Sequence, residues 1–448
     1  MRKALGRIIP LAAMATVVVA LLLAASGAAE TGLTPMQELG SFLYFDENLS
    51  QPDGMSCATC HDPAFGFVDP DFNLPVSEGV LPGRVGNRNA PMSAYAMYAP
   101  IFHYDEGEGL FIGGQFWDGR ATGLSALGDP LADQAVGPPL NPLEMANPNK
   151  DTYVRDVEHS DYAALFEEVW GAGILDDVEA AYDKAGLSVA AFERTALFAQ
   201  FSSRYDAYLQ ACMKSGGKVK LDDLNDCAQG IGNRAAKAAA STLTAAEWQG
   251  LQLFMNPTND NNGVLEAGEG AACVLCHVAD WTMAADYALD VVVPGWAPQG
   301  MVPPVFTDFT FDNLGVPKNW DNPFLYLPPS LNPDGEDFID LGLGGFLAAN
   351  PDLVPANYDY TVDNGKHKVM TLRNIDLTPP YAHNGFFEGL IDITHFYNTR
   401  DKDGVSWDEA EVPGTVNHDE LGDLGLSTDQ ELLLVEFMKT LSDGYQAP

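Results

Sequence analysis

Cys57-Ala58-Thr59-Cys60-His61 is answered in the second half of the chain by Cys273-Val274-Leu275-Cys276-His277. Two thiols separated by two residues and followed at once by a histidine are what covalent haem attachment needs. The thiols add to the vinyl groups, and the imidazole becomes an axial iron ligand. A lone run of this kind could be a zinc or redox site that happens to precede a histidine. Two of them in a chain with only six cysteines point to two c-type haems, attached through Cys57, Cys60 and His61 and through Cys273, Cys276 and His277.

The segments leading into the two runs repeat one another. Leu33-Thr34-Pro35 through Phe45 precedes the first, and Leu243-Thr244-Ala245 through Phe254 precedes the second. In each, threonine stands as an N-cap, an acidic residue or amide follows at the third helical position, and apolar residues continue at helical spacing. The expected fold is mainly α: two cytochrome c-like helical domains, residues 30–240 and 241–448, each with one covalent haem and long loops. Between the repeats, residues 161–209 carry apolar residues at three- and four-residue spacing, a core face. A closing helix is expected over 427–441, capped by Ser427. The stretches 69–89, 279–317 and 328–363 are rich in Gly, Pro, Asn and Asp and read as long loops of the kind that carry function. Residues 256–269 place Asp260, Asn262 and Glu269 on calcium-loop ligand positions, but Thr258 and Asn256-Pro257 fit that pattern poorly; a short insertion is the simpler reading.

Residues 1–29 have the form of a secretory signal peptide. Arg2, Lys3 and Arg7 precede an apolar run from Ile8 to Ala25, and Ser26-Gly27-Ala28-Ala29 offers small residues for cleavage. The competing reading is an uncleaved anchor, for which the run is barely long enough. Export agrees with haem attachment and places the protein in the periplasm with no stable membrane insertion after cleavage. The net charge of −40, from 63 acidic and 23 basic residues, excludes nucleic acid as a partner and would attract a basic protein, although solubility alone accounts for it equally well. Cys212 and Cys227 remain outside the haem runs. In an oxidising compartment they are expected to pair, pinning a surface loop.

Further motifs extend along the chain: Phe116-Trp117-Asp118-Gly119-Arg120, Gln134-Ala135-Val136-Gly137-Pro138, Asn141-Pro142-Leu143-Glu144-Met145, Leu372-Arg373-Asn374 and Pro380-Tyr381-Ala382-His383-Asn384-Gly385. As a set they resemble the bacterial di-haem cytochrome c peroxidase and MauG family, from about Thr34 to Leu441. The resemblance implies reduction of hydrogen peroxide at the N-terminal haem, with electrons relayed through the C-terminal haem from a small cytochrome or cupredoxin. An alternative is a MauG-like oxidase that uses peroxide to oxidise side chains of a protein substrate. An alternative of another class is a pure di-haem electron carrier, which needs two six-coordinate irons unreactive to peroxide.

A peroxidase needs an iron with an open face, a base to move the peroxide proton, and a polar group to orient it. Glu144 suits the base and Gln134 the orienting amide, on a loop expected to fold over the first haem. Extra residues between Arg120 and Gln134 make that loop unlike the family's. Trp117 matches the tryptophan between the haems. The family's sixth ligand to the second haem falls at Tyr397, where typical members have methionine; the rival readings are Met370, His395, or a structural Tyr397. Anionic oxygen ligation lowers the iron potential where a thioether raises it. Residues 62–100 hold no histidine that could close the first haem, and His103 is the nearest candidate. The family also implies one calcium, on Asn89, Thr378 and Pro380. His383 reads as structural or hydrogen-bonded near the second haem, and His159, His367 and His418 as solvent-exposed.

Overall fold

Thr244 caps its helix as the sequence suggests. Its hydroxyl accepts from Glu247 N at 3.2 Å, while the Glu247 carboxylate accepts from Thr244 N at 2.6 Å, a reciprocal box that satisfies two orphan donors. The computed structural model describes residues 32–214, 220–266 and 268–446, so the expected signal peptide lies outside the described residues. Residues Pro35–Pro448 form one compact unit. It is helix-rich, and the strands among the described residues are short antiparallel pairs: His103–Asp105 with Leu110–Ile112, Thr282–Met283 with Met301–Val302, and Phe311–Asp312 with His367–Lys368.

The repeat is visible in how its helices pack. Helix Pro35–Phe45 lies against helix Val178–Glu193, and helix Ala245–Met255 lies against helix Thr428–Lys439. Gly40 and Gly250, at the same place in the two repeats, make both approaches possible. A Cβ on Gly40 would sit 1.9 Å from Ser188 O, and one on Gly250 would sit 1.9 Å from Leu433 O. Four residues on, Phe192 and Phe437 close over the respective glycines. Ser427 caps the closing helix as expected.

The apolar residues gather into two large clusters. The first is built on Leu39, Leu43, Tyr44, Phe166, Val189 and Phe198. The second is built on Leu251, Phe254, Phe306, Leu434 and Phe437, and takes in the helices Arg204–Lys214, Leu221–Ala228 and Gly232–Thr242 that precede residue 243. Residues 161–209 form three helical pieces broken at Gly171 and after Glu193. Cys212 and Cys227 are bonded, joining two of the helices of the second cluster. Residues 256–269 are tied down by asparagine side chains: Asn259 Nδ2 donates to Gly270 O and Leu424 O, and Asn261 Nδ2 donates to His418 O and Leu421 O.

Arg373 is fully buried in an aromatic cage. Its guanidinium donates to Asp206 at 2.8 Å and to Pro304 O at 2.6 and 2.9 Å. Its neighbours Thr371 and Leu372 border the same cavity as Cys273, Cys276 and His277.

Candidate active site

The two attachment runs are supported alike. Cys57–Cys60 make a single helical turn, closed by a bond from Ser56 N to Thr59 Oγ1; Cys273–Leu275 make a tighter one. His61 Nδ1 lies 3.3 Å from Phe67 O, and His277 Nδ1 lies 3.0 Å from Phe306 O. Both phenylalanines are left-handed, with φ 67° and 56°, a conformation bulky residues rarely adopt. A Nδ1–H that donates to a carbonyl leaves Nε2 as the free lone pair, the arrangement a metal-ligating imidazole requires. Burial lowers the basicity of both rings, His277 to about 4.

His277, Cys273 and Cys276 border a cavity of about 240 Å³ whose walls include Phe254, Leu390, Leu434 and Met438. Tyr397 lines the same cavity, carried on helix Leu390–Thr399. Its phenol is pushed well above the usual range by burial and by the nearby Cys276 and Cys273 sulfurs. Of its rivals, His395 points elsewhere: its ring bonds Glu431 at 2.9 Å and is 45% exposed. Met370 also lines the cavity, but its backbone sits against the His277 ring. His103 is exposed on a strand and bonded to Ile101 O.

Glu144 is half-buried. Asn141 Nδ2 donates to its Oε1 at 2.6 Å, and Val80 N donates to its carbonyl. Gly79 lets the two segments touch, since a Cβ there would lie 2.2 Å from Leu143 O. Burial raises the Glu144 carboxyl above the usual carboxylate range against the opposing pull of Arg120 and Asn141. The carboxyl is close enough to Cys57 and Cys60 to act on both thiols electrostatically. Gln134 is also half-buried, on the last turn of helix Pro130–Ala135. The expected loop from Gln134 to Glu144 is thus a helix end, a turn at Pro138–Leu140 and an asparagine-anchored bend.

Trp117 Nε1 donates to Asn89 O at 2.9 Å, and the indole borders the cavity. Asn89, Thr378 and Pro380 border it as well. Asn89 and Pro380 also line a small adjoining void with Asp69, Asp71 and Ser77.

The structure corrects the reading of His367. It is not solvent-exposed: its ring stacks on His383 at 3.6 Å and 8° and is 9% exposed, whereas His159 and His418 are exposed. The stacked pair stands edge-on to Trp117, at 6.4 and 6.5 Å. Beside it Arg88 bridges Asp340 and Asp118 at 2.6 Å each. No local pattern announces this cluster, because Arg88 and Asp340 are far apart in sequence. Glu193 is a second group the sequence does not signal: a buried carboxyl near Cys57 and Tyr44, raised by burial to about 8.

The family model for di-haem cytochrome c peroxidases matches residues 34–214. The chain is 31% identical over 448 residues to the methylamine utilization protein MauG of Paracoccus denitrificans, covering 96% of this chain and 95% of that protein. It is 25% identical over 350 residues to the cytochrome c551 peroxidase of Nitrosomonas europaea, covering 78% and 69%. The crystal structure of the di-haem peroxidase BthA from Burkholderia thailandensis matches with a TM-score of 0.68 at 28% identity, over 93% of this chain and 88% of that one.

Proposed function

The chain belongs to the di-haem cytochrome c peroxidase family, and from that premise we propose that it is a periplasmic enzyme reducing hydrogen peroxide to water. Its first half carries the peroxide-reacting haem and its second half the electron-transfer haem. When bound, each haem would supply an iron that exchanges electrons, the first of them for reaction with peroxide. Cys57 and Cys60 would hold the first by thioether bonds, with His61 as its iron ligand. Cys273, Cys276 and His277 would do the same for the second. The donor sets fit: each imidazole has Nδ1 within hydrogen-bond distance of a carbonyl, the orientation that would turn Nε2 to an iron, and the second lies in an apolar cavity.

Glu144 takes the proton from one peroxide oxygen and delivers it to the other, which leaves as water. Two electrons and two further protons then balance the reaction to a second water. Gln134 orients the peroxide. Trp117 couples the two haems, and a small cytochrome or cupredoxin supplies the electrons. Calcium on Asn89, Thr378 and Pro380 is what the family resemblance implies; all three border the cavity.

One observation carries the reading: the half-buried Glu144, bonded by Asn141 and with raised basicity, acts on both thiols of the first attachment run. The test is Glu144→Gln, followed by stopped-flow mixing with peroxide. A loss of about 10²–10⁴-fold in the peroxide reaction is expected, with the haem spectra of the resting protein unchanged. A wild-type rate would remove Glu144 from the chemistry. Two low-spin haems indifferent to peroxide would sink the enzyme reading altogether.

A second reading is favoured by Tyr397. A phenolate on the second iron would lower its potential and stabilise a high-valent state, which suits storing oxidising equivalents for withdrawing electrons from side chains of a protein substrate better than accepting electrons one at a time from a small redox protein.

A further inference from the structure

Lys368 ends the short strand His367–Lys368 and is 5% exposed. Its ammonium donates to Gly114 O and, at 3.3 Å, to Gln115 Oε1. It lies 5.6 Å from the Phe309 ring. An ammonium has three N–H donors, and only two acceptors are accounted for. Among the described residues no carboxylate forms an ion pair with it. Burial alone acts on its basicity, bringing it down to about 7. Buried charges in folded proteins are paired, because leaving one alone costs several kcal/mol. Among the described residues the buried arginines obey the rule: Arg88 faces Asp118 and Asp340, Arg373 faces Asp206, and Arg400 faces Asp401.

The neighbouring residue has the same deficit. His367 Nδ1 is committed to Gly365 O at 3.0 Å, and Nε2 is buried with no hydrogen-bond partner. The nearest carboxylate oxygen, on Asp340, is 3.6 Å away. Both residues border the cavity whose wall carries Cys273, Cys276 and His277. A haem joined to those thiols through its vinyl edge presents its two propionates on the opposite edge.

We infer that Lys368, with His367 Nε2 beside it, is the seat of a propionate carboxylate of the second haem. This rests on the reading that a haem occupies the cavity. The missing anion is then the cofactor's own, and the ammonium is satisfied only when the protein is loaded. A cation is the poorer occupant. Asp340, His367 and His383 do converge, but Arg88 takes both Asp340 oxygens at 2.6 and 2.7 Å, and its charge would repel a metal ion. Lys368 is a positioning residue: it tunes the second haem without touching peroxide.

The test uses the holoprotein, with Lys368→Gln, Lys368→Arg and His367→Gln. The propionate bending bands in the resonance Raman spectrum report the seat directly, and a spectroelectrochemical titration gives the two haem potentials separately. Lys368→Gln is expected to move one propionate band and lower the potential of the second haem, because a positive charge beside it is lost. The first haem stays as in the wild type, and Lys368→Arg recovers the potential. If Lys368→Gln does not accumulate, His367→Gln is expected to move the same band. Unmoved bands in every variant that folds, or a change confined to the first haem, overturn the inference. Covalent haem content, measured by pyridine haemochrome, separates this from failure of the premise. Two haems with unmoved bands sink only the propionate seat, whereas a protein that binds fewer than two removes the reading on which it rests.

Discussion

At the scale of single residues, chemistry and environment were legible to different degrees. Cys57, Cys60, His61 and their second-half counterparts are fixed by a five-residue pattern, and nothing about their packing is needed to find them. Glu144 and Tyr397 are proposed from motifs, and burial bears on what each could do. A carboxyl raised by burial acts as a base only above its own pKa. The rate of peroxide reaction is therefore expected to fall as pH drops through a value above the ordinary carboxylate range. Glu144→Gln removes that limb of the pH profile, and a limb that persists in the variant belongs to another group. Tyr397 is set by the same physics in reverse. Burial beside two sulfurs disfavours the phenolate, so only a cation at its oxygen could hold it deprotonated. With Tyr397 as the proposed ligand, Tyr397→Met would exchange an anionic oxygen for a neutral thioether. The potential of the second haem should rise, within the ~0.8 V span that axial ligands command. A titration giving the wild-type potential and spectrum would take Tyr397 off the iron. His367 shows why residue-level reading fails where it does: polar sequence neighbours suggested solvent, but its ring is buried by His383 and Asp340, which come from elsewhere in the chain.

Elements show the duplication more clearly than the sequence alone could. The repeated Thr, the helical spacing and the cap were readable, and Thr244 and Ser427 cap as the pattern implies. What the pattern could not reveal is the partner of each helix. Gly40 and Gly250 each lie against a backbone carbonyl of a helix far along the chain. In a lone sequence such a glycine is indistinguishable from any mid-helix glycine, a residue that costs about 1 kcal/mol against alanine when nothing requires it. Here close approach requires it. Gly250→Ala places a methyl 1.9 Å from Leu433 O, so the helices must separate. A loss of about 1–3 kcal/mol is expected, seen as a lower Tm. Since Phe254 on the same helix lines the cavity, the spectrum of the second haem should change with it. Gly295→Ala, where an added Cβ meets nothing within 4 Å, is the control. Equal Tm values for the two variants would show that the helix crossing does not depend on Gly250.

For the molecule as a whole, charge is the property read most directly from composition and least visible in any one contact. The chain carries −40, and the expected leader holds Arg2, Lys3 and Arg7, so its removal leaves the remainder more acidic still. Several of the arginines left are spent internally: Arg88, Arg194 and Arg373 each bond a buried or nearly buried aspartate. The surface field is therefore anionic, and it reaches a partner over about a Debye length, ~8 Å at physiological ionic strength. Such a field steers a basic donor and repels an acidic one. With a basic small cytochrome as donor, the second-order rate constant for its oxidation by peroxide-treated enzyme should fall by tenfold or more as ionic strength rises from ~0.01 to ~1 M, where the Debye length shrinks to about 3 Å. With an acidic cupredoxin the rate should be low at first and rise with salt. If the substrate is instead a protein whose side chain is oxidised in a docked complex, the salt dependence appears in the apparent affinity and not in the rate of electron withdrawal once bound. Stopped-flow measurements at several salt concentrations, run with each donor, separate these cases. Salt-independent rates with both donors would mean that the acidic surface plays no part in partner choice and serves solubility alone.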